Sequence, residues 1–156
     1  VGDRPWEVED FHNIVLRQQA MNTHAAKESE TGIIFIDTEA YTTYLYCMEY
    51  LNIESDTLLS LKQREYFNLM VLVPNNIPWV DDGSRIQRDP VKRNNFFSAM
   101  QIKFPSAQMV VLESSGRKER VAELTGPIMQ YIITKDPKHY DVFDLTMQSA
   151  SCNVIV

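Results

Sequence analysis

The sequence predicts an α/β domain with a mainly parallel sheet, because short apolar runs alternate with longer segments of helical periodicity. Three of those runs have the length and residue types of buried strands: residues 33–37, 69–73 and 109–112. Right-handed crossovers bring the carboxyl ends of parallel strands to one edge of the sheet, where α/β folds bind their ligands. We therefore expect Asp37, Asn75 and Glu113 to face that edge.

The bulk composition limits the class of protein. A chain of 156 residues is about one domain, and we treat residues 1–156 as a single domain with one core. Its apolar stretches are shorter than the roughly 18 residues of a membrane span, and its first residues lack a secretion signal. The net charge of −6 argues against a nucleic-acid partner. The sequence thus predicts a cytoplasmic protein with no membrane and no nucleic-acid partner.

The cysteines and histidines follow neither a disulfide pattern nor a metal-binding pattern. Cys47 and Cys152 are interpreted as reduced thiols. The histidines are scattered, which favours solvated side chains over metal ligands; they are His12, His24 and His139.

The first half of the chain predicts three helices and one strand. Apolar residues recur at helical spacing over residues 8–30, and Gly32 marks the stop. The elements that follow are a strand at 33–37, buried on both faces, a helix at 40–51, and a helix that Ser55 or Asp56 caps and that runs to about residue 66.

The second half begins with the strand at 69–73, after which Pro74 and Pro78 make residues 75–82 a loop. The remaining elements are a helix at 88–103, a strand at 109–112, a turn at 114–116, a helix at 117–132 and a short strand at 153–156. The side chains expected to face inward from the two helices are Phe96, Phe97, Met100, Val121, Leu124, Ile128, Met129 and Ile132.

The segment Asp37-Thr38-Glu39 ends the first predicted strand with polar residues. A carboxylate at this position of an α/β fold can hold hydrated magnesium or orient an attacking hydroxyl, as in a Walker-B-like arrangement. The structural alternative is that Asp37 or Thr38 caps the helix that follows. The pattern alone leaves both open.

The loop after the second strand carries a denser set of polar residues. Trp79 offers an aromatic face that attracts cations, two acids follow it at Asp81 and Asp82, and Gly83 permits close approach of a ligand. A basic cluster suited to phosphate comes next: Arg85, Arg88, Lys92 and Arg93. The alternative is a proline-framed loop with a buried tryptophan, followed by a solvated charged helix.

The turn before the last helix has some features of a phosphate loop. The motif G-x-x-x-x-G-K-[ST] requires glycine where Val111 stands and lysine where Arg117 stands, and the glycines of this chain do not form it elsewhere. The helix that begins after Gly116 still offers an N-terminus able to bind an anion or to approach a base.

These segments occur in the order of a known family. Gln18 and Gln19 are followed by Ile-Phe-Ile-Asp-Thr-Glu with Thr42-Thr43, and then by Val-Leu-Val-Pro-Asn-Asn-Ile-Pro-Trp-Val-Asp-Asp-Gly-Ser-Arg. Over about residues 11–132 the chain resembles the ribosylnicotinamide kinase domain of NadR-type NAD-biosynthesis proteins, with 133–156 as a C-terminal extension. The resemblance implies a three-layer P-loop kinase fold that phosphorylates the 5′-hydroxyl of nicotinamide riboside, using ATP as co-substrate and Mg²⁺ as cofactor.

The resemblance also implies roles for individual residues. Asp37 would act at the substrate hydroxyl and as the magnesium ligand, with Thr38 beside the substrate. The other implied assignments are Trp79, Asp82 and Gly83 to substrate binding, Arg85 and Arg93 to catalysis on a lid, and Arg88, Lys92, Gly116 and Arg117 to nucleotide binding.

One part of the family pattern is not found in this sequence. The family's first strand, phosphate loop and next helix lie upstream of residue 1, so the domain is expected to be incomplete at its N-terminal strand–P-loop–helix unit. The missing strand would be central, between the strands at 33–37 and 69–73. Those two strands must then pair directly, or residues 153–156 or a partner must fill the gap, because a gap in a buried sheet leaves backbone groups unpaired.

Three interpretations follow. The first is the larger part of a ribosylnicotinamide kinase domain, inactive by itself, which works with a missing N-terminal segment, an attached domain or a second copy in a homo-oligomer. The second is a non-catalytic nucleoside-binding or regulatory module, favoured if the chain is complete. A permuted or domain-swapped arrangement that uses the C-terminal strand is a third.

Overall fold

The structure is a computed structural model that describes residues 5–62, 67–76, 78–80, 89–103, 109–134 and 153–155. Its elements in chain order are α1 (Val8–Glu28), β1 (Ile33–Phe35), α2 (Ala40–Leu51), α3 (Asp56–Lys62), β2 (Met70–Leu72), α4 (Pro90–Lys103), β3 (Met109–Val111), α5 (Arg117–Thr134) and β4 (Asn153–Ile155). The predicted order of helices and strands is therefore confirmed over the described residues. None of the described helices is long and apolar enough to cross a membrane.

The chain divides into two compact units, one formed by Val1–Asn68 with Val142–Val156 and the other by Leu69–Asp141. The first unit contains α1, α2, α3, β1 and β4, and the second contains β2, α4, β3 and α5. The prediction of a single domain over residues 1–156 stays a prediction.

The strands pair in parallel, as the sequence predicts. β1 pairs with β4 in the first unit, with Ile34 opposite Val154. β2 pairs with β3 in the second unit, with Val71 opposite Val110, and the Leu112 amide extends that ladder by donating to the Leu72 carbonyl at 3.0 Å. Residues 153–155 thus pair with the first predicted strand, while the expectation that they fill a gap between β1 and β2 stays a prediction.

Several helices begin at side chains that satisfy the exposed amides of a first turn. Glu7 and Asp10 form a reciprocal capping box at α1, and the Ser55 hydroxyl accepts the Leu58 amide at 3.3 Å at the start of α3. Asp89 accepts the Val91 amide at 2.8 Å, which starts α4 just before Pro90. Ser55, rather than Asp56, is thus the residue that caps α3.

The core of the first unit lies among its three helices, where the contacting buried residues are Phe11, Val15, Ala40, Tyr44, Cys47, Leu58 and Leu61. Cys47 is a buried, free thiol, which confirms its interpretation, whereas Cys152 and His139 lie outside the described residues. In the second unit the buried hydrophobic residues are Leu69, Met70, Leu72, Met100 and Leu112.

Some predicted burial is wrong. Phe35 is 69% exposed, so β1 is not buried on both faces, and on α5 Val121 is 59% exposed and Met129 is 49% exposed. A ladder of two strands is narrow, and it covers less of a strand or flanking helix than the broad parallel sheet that the apolar pattern assumed. Phe96 and Phe97 are half-buried, and the side chain of Ile132 lies outside the described part of the chain.

Candidate functional site

Asp37 lies two residues after the end of β1, and it is exposed. It makes no hydrogen bond or ion pair with any residue that the structure describes. Burial raises the pKa of the nearby Tyr46 phenol, and the negative charge of Asp37 raises it further. The carboxylate is therefore accessible to a ligand, in the position that the sequence predicts for a catalytic or metal-binding acid.

Thr38 adopts a left-handed backbone conformation, with φ of 73°. Such angles are unusual outside glycine and are true outliers for β-branched residues, at a cost of roughly 1–3 kcal/mol. Thr38 lies between the exposed Asp37 and Glu39, which is the residue that caps α2.

Glu39, and neither Asp37 nor Thr38, caps α2, so the predicted capping alternative is wrong. The Glu39 side chain is buried, with 2% of the residue exposed. Its Oε2 accepts the Tyr41 amide at 2.5 Å, and its Oε1 accepts both the amide and the hydroxyl of Thr42 at 2.7 Å. A glutamate reaches these donors because its longer side chain folds back over the first turn, which leaves Asp37 outside the cap.

Burial raises the pKa of Glu39 above its ordinary value of 4.5, although the hydrogen bonds from Thr42 and Tyr41 and the charge of Lys62 act in the opposite direction. The Lys62 ammonium lies 4.9 Å from the centre of the Tyr41 ring, in a cation–π contact. Tyr41 in turn stacks on Tyr44, with ring centres 5.8 Å apart. The start of α2 is thus fixed by a buried acid and by packed rings.

The magnesium ion that the resemblance implies can be tested against the donors present. Magnesium keeps several waters and binds through one or two carboxylates together with substrate phosphates. Asp37 fits that role because its carboxylate is exposed, whereas Glu39 is committed to backbone amides. The described residues contain no cluster of three acidic, histidine or cysteine side chains that could hold a metal unaided.

His12 is not the solvated side chain that the sequence predicts. It is half-buried, its Nε2 lies 2.8 Å from the Ser55 hydroxyl, and its Nδ1 lies 3.4 Å from a Glu9 carboxylate oxygen. The contact joins α1 to the residue that caps α3, so its role is structural. His24, by contrast, is exposed.

In the second unit, the segments after β2 and β3 are in contact, whereas Asp37, the third residue predicted at this edge, belongs to the first unit. The Asn76 amide donates to the Glu113 carbonyl at 2.7 Å. The neighbouring Asn75 donates to Asn94 of α4 at 2.8 Å and accepts from the Arg93 guanidinium Nε at 3.0 Å. Arg93, a predicted phosphate-binding residue, is therefore half-buried and held at this strand end by Asn75.

Two residues that the sequence analysis did not single out complete this edge. Glu123 of α5 accepts the amides of Glu113 at 2.9 Å and of Ser114 at 3.0 Å, as well as the Ser114 hydroxyl. These bonds, the one from the Ser114 hydroxyl foremost, lower the pKa of Glu123. Arg120 donates to the Ser114 carbonyl at 2.6 Å and to the Asn76 side chain.

The acidic side chain of Glu119 lies beside Gly116, the residue that precedes α5. The place that a Cβ would take on Gly116 is covered by the Glu119 carboxylate, and the Gly116 carbonyl accepts the Arg120 amide at 3.0 Å. Arg117, the first residue of α5, is exposed. An anion bound at this helix end would have to displace the Glu119 side chain.

The other predicted site residues are described only in part. Trp79 is half-buried and Lys92 is exposed, and both make contacts within the chain. Four others lie outside the described residues: Asp82, Gly83, Arg85 and Arg88. The structure thus locates Asp37 and Thr38 in the first unit and Trp79, Lys92, Arg93, Gly116 and Arg117 in the second.

Parallel strands with acidic, basic and amide side chains at their carboxyl ends are typical of nucleotide-binding α/β domains. The chain belongs to the AAA domain family, which it matches over residues 2–120. It resembles NadR-type proteins over part of its length, because two curated relatives that match it are NadR proteins.

One relative is the trifunctional NAD biosynthesis/regulator protein NadR of Salmonella typhimurium, 33% identical over 87 residues, or 56% of this chain and 21% of the relative. Another is the NadR protein of Escherichia coli, 38% identical over 64 residues, or 41% of this chain and 16% of the relative. The matched regions thus span about a fifth or less of these relatives' length. No solved structure matches the chain.

Proposed function

We propose that this chain is the larger part of a domain that phosphorylates nicotinamide riboside to nicotinamide mononucleotide, with ATP and magnesium, in cytoplasmic NAD biosynthesis. The observation that carries the proposal is the exposed Asp37 carboxylate after β1, which the Glu39 cap leaves available. NAD biosynthesis, which appears in the names of two curated relatives, supports the same reaction class.

The proposed chemistry at Asp37 is the orientation and deprotonation of the substrate 5′-hydroxyl. As the hydroxyl oxygen bonds to the γ-phosphorus of ATP, the bond from that phosphorus to the bridging oxygen breaks and ADP leaves. The carboxylate accepts the hydroxyl proton. Magnesium, when bound, neutralises phosphate charge, and Asp37 is the residue that would hold it.

The resemblance also gives proposed roles to residues of the second unit. The Arg93 guanidinium would stabilise charge on the transferring phosphoryl group, and Trp79 would offer its face to the pyridinium cation. The resemblance adds Asp82 and Gly83 to substrate binding, Arg85 to catalysis, and Arg88, Lys92, Gly116 and Arg117 to nucleotide binding. We keep all of these as proposals.

A non-catalytic nucleoside-binding module is the second candidate. The 156 residues contain no G-x-x-x-x-G-K-[ST] motif, and acidic side chains of α5 lie where phosphate would need donors: Glu123 takes the Glu113 and Ser114 amides, and Glu119 covers Gly116. These features favour nucleoside binding without phosphate transfer in this chain.

The test is a titration of nicotinamide riboside into the folded chain, followed by tryptophan fluorescence. The chain has two tryptophans, and the Trp6 ring packs against the Phe11 ring at a tilt, with ring centres 5.4 Å apart, so each tryptophan must be removed in turn. We expect saturable quenching that persists in Trp6→Phe and disappears in Trp79→Phe. Absence of binding up to millimolar ligand would contradict both candidates.

Two further measurements separate the candidates. Asp37→Asn should weaken nicotinamide riboside binding by roughly 10- to 100-fold, which is the worth of a hydrogen bond to a charged group. Incubation with ATP and magnesium, assayed for nicotinamide mononucleotide, then distinguishes them. Product that depends on Asp37, from this chain or from this chain joined to an upstream strand–P-loop–helix segment, supports the kinase, and binding without product from both supports the module.

A further inference from the structure

The segment between β1 and α2 uses its three polar residues in an unexpected way. Aspartate and threonine are common helix caps, yet the cap is Glu39, while Asp37 is exposed and Thr38 is left-handed. A helix that needed only a cap could take it from Asp37 or Thr38 without a strained backbone. The left-handed conformation of Thr38 is therefore not explained by the capping of α2 alone.

The geometry links the buried acid to the exposed one. Glu39 holds the amides of Tyr41 and Thr42, which fixes the first turn of α2, and Thr38 is the single residue between that anchor and Asp37. A β-branched residue is strained in the left-handed conformation, so the surrounding structure must hold it there. The backbone that carries the Asp37 carboxylate is thus anchored by Glu39 and held at Thr38 in a conformation that this residue does not adopt freely.

We propose that Glu39 and the left-handed Thr38 are positioning residues that hold the Asp37 carboxylate in place for a substrate hydroxyl. The identity of that substrate rests on the proposed function, whereas the positioning of Asp37 does not. Local strain of this kind persists where the surrounding structure over-determines it, and such residues cluster at working sites.

The first test measures backbone order without a ligand, by NMR relaxation of the amides of residues 37 and 38. We compare the unsubstituted chain with Thr38→Gly, Thr38→Asn and Glu39→Gln, and use Glu54→Gln, at an exposed glutamate, as the matched control. Asparagine tolerates the left-handed conformation, whereas glycine also opens many others.

The expected result is an order parameter near 0.85 at residue 37 in the unsubstituted chain, in Thr38→Asn and in Glu54→Gln, with a fall toward about 0.6 in Thr38→Gly and Glu39→Gln. Amides in the middle of α2, such as that of Cys47, should keep their order in every variant. Unchanged order at residue 37, or loss of order throughout α2, would overturn the proposal.

The second test compares stability with affinity for nicotinamide riboside. Thr38→Gly relieves the strain, so its Tm should match or exceed that of the unsubstituted chain, while its affinity falls about five- to tenfold. Thr38→Asn should keep both the Tm and the affinity of the unsubstituted chain. A purely structural role would move Tm and affinity together, and that outcome would count against positioning.

The two tests keep the two proposals apart. If the unsubstituted chain does not bind nicotinamide riboside, the proposed function fails, and the order parameters still decide whether Glu39 and Thr38 position Asp37. If it binds, and Asp37→Asn weakens binding while Thr38→Gly and Glu39→Gln do not, the positioning inference fails and the proposed function survives.

Discussion

The Asn76 side chain donates a hydrogen bond to the Glu113 carbonyl oxygen at 2.7 Å. Asn76 belongs to the segment that follows β2, and Glu113 belongs to the segment that follows β3. The bond therefore joins the carboxyl ends of the two parallel strands of the second unit. The Asn76 side chain also accepts a hydrogen bond from Arg120 of α5. The segments after β2 and β3 and helix α5 therefore meet at one side-chain amide. The strand ends are therefore held together by side chains as well as by the backbone ladder.

Arg120→Met should destabilise the second unit by about 1–3 kcal/mol, because it leaves the Ser114 and Asn76 acceptors without their donor. Methionine keeps much of the volume of the aliphatic chain. Arg117→Met, at an exposed position of the same helix, should change the free energy of unfolding by less than about 0.5 kcal/mol. Urea denaturation of both variants measures the difference, and equal effects would mean that Arg120 contributes little.

Glu123 should make stability depend on pH in the acidic range. Its pKa in the folded chain lies below the ordinary value of 4.5, so the folded state favours its ionised form. The stabilisation is present above pH 4.5 and is lost as the pH falls through the folded pKa. Glu123→Gln should thus be less stable than the unsubstituted chain at pH 7, and this gap should close on acidification in urea titrations at several pH values.

Glu39 should show the opposite pH dependence. Its pKa in the folded chain is raised, so the folded state binds more protons than the unfolded state does. The free energy of unfolding should then fall as the pH rises above 4.5, toward the folded pKa, and Glu39→Gln should lack this decline. The stability of the unsubstituted chain minus that of Glu39→Gln should therefore decrease with rising pH. A difference that does not change with pH would show that burial does not raise the pKa of Glu39.

Asn52 ends α2 in a left-handed conformation, with φ of 54°, and its amide donates to the Met48 carbonyl at 2.9 Å. Asn52→Ala should cost about 1 kcal/mol, because alanine is strained at this angle. Asn52→Gly should be neutral or slightly stabilising, since glycine adopts the angle freely. Thermal unfolding of the two variants gives the comparison, and a more stable alanine variant would contradict it.

Leu58 of α3 is fully buried, at 0% exposure, against the helices of the first unit. Leu58→Ala should destabilise the chain by about 2–5 kcal/mol through lost burial and the cavity that remains. Leu16→Ala makes the same chemical change at a residue of α1 that is 51% exposed, and it should cost less than about 1 kcal/mol. Denaturant unfolding measures both, and similar losses would contradict the proposed core.

The order of elements could be predicted from the sequence because it depends on local patterns. Helical spacing of apolar residues predicted α1 and α5, and short β-branched runs predicted β1, β2 and β3. The extent of burial could not be predicted in the same way. Phe35 and Val121 belong to apolar patterns yet are exposed, since burial depends on which elements pack against them.

The candidate site likewise contains residues that local sequence patterns predicted and residues that they did not. Asp37 could be singled out because an acid directly after a buried strand has a local signature, and Asn75 and Glu113 were predicted to share an edge for the same reason. The cap at Glu39 was missed, although an acid directly before a helical run is a local signal for one. Arg120 and Glu123 carried no such signal, because nothing in the spacing of α5 relates them to the loop after β2.

The sequence by itself therefore determined the kinds of elements, their parallel pairing and the polar residues at the strand ends, all of which follow from periodicity and chain connectivity. Only the tertiary structure decided that β4 pairs with β1, that Arg120 donates to Asn76, and that Glu123 takes the amides at the end of β3. Each of these depends on which donor and acceptor meet in three dimensions. A hydrogen bond is specified by distance and angle between groups, and residues far apart in the chain satisfy that requirement only after folding.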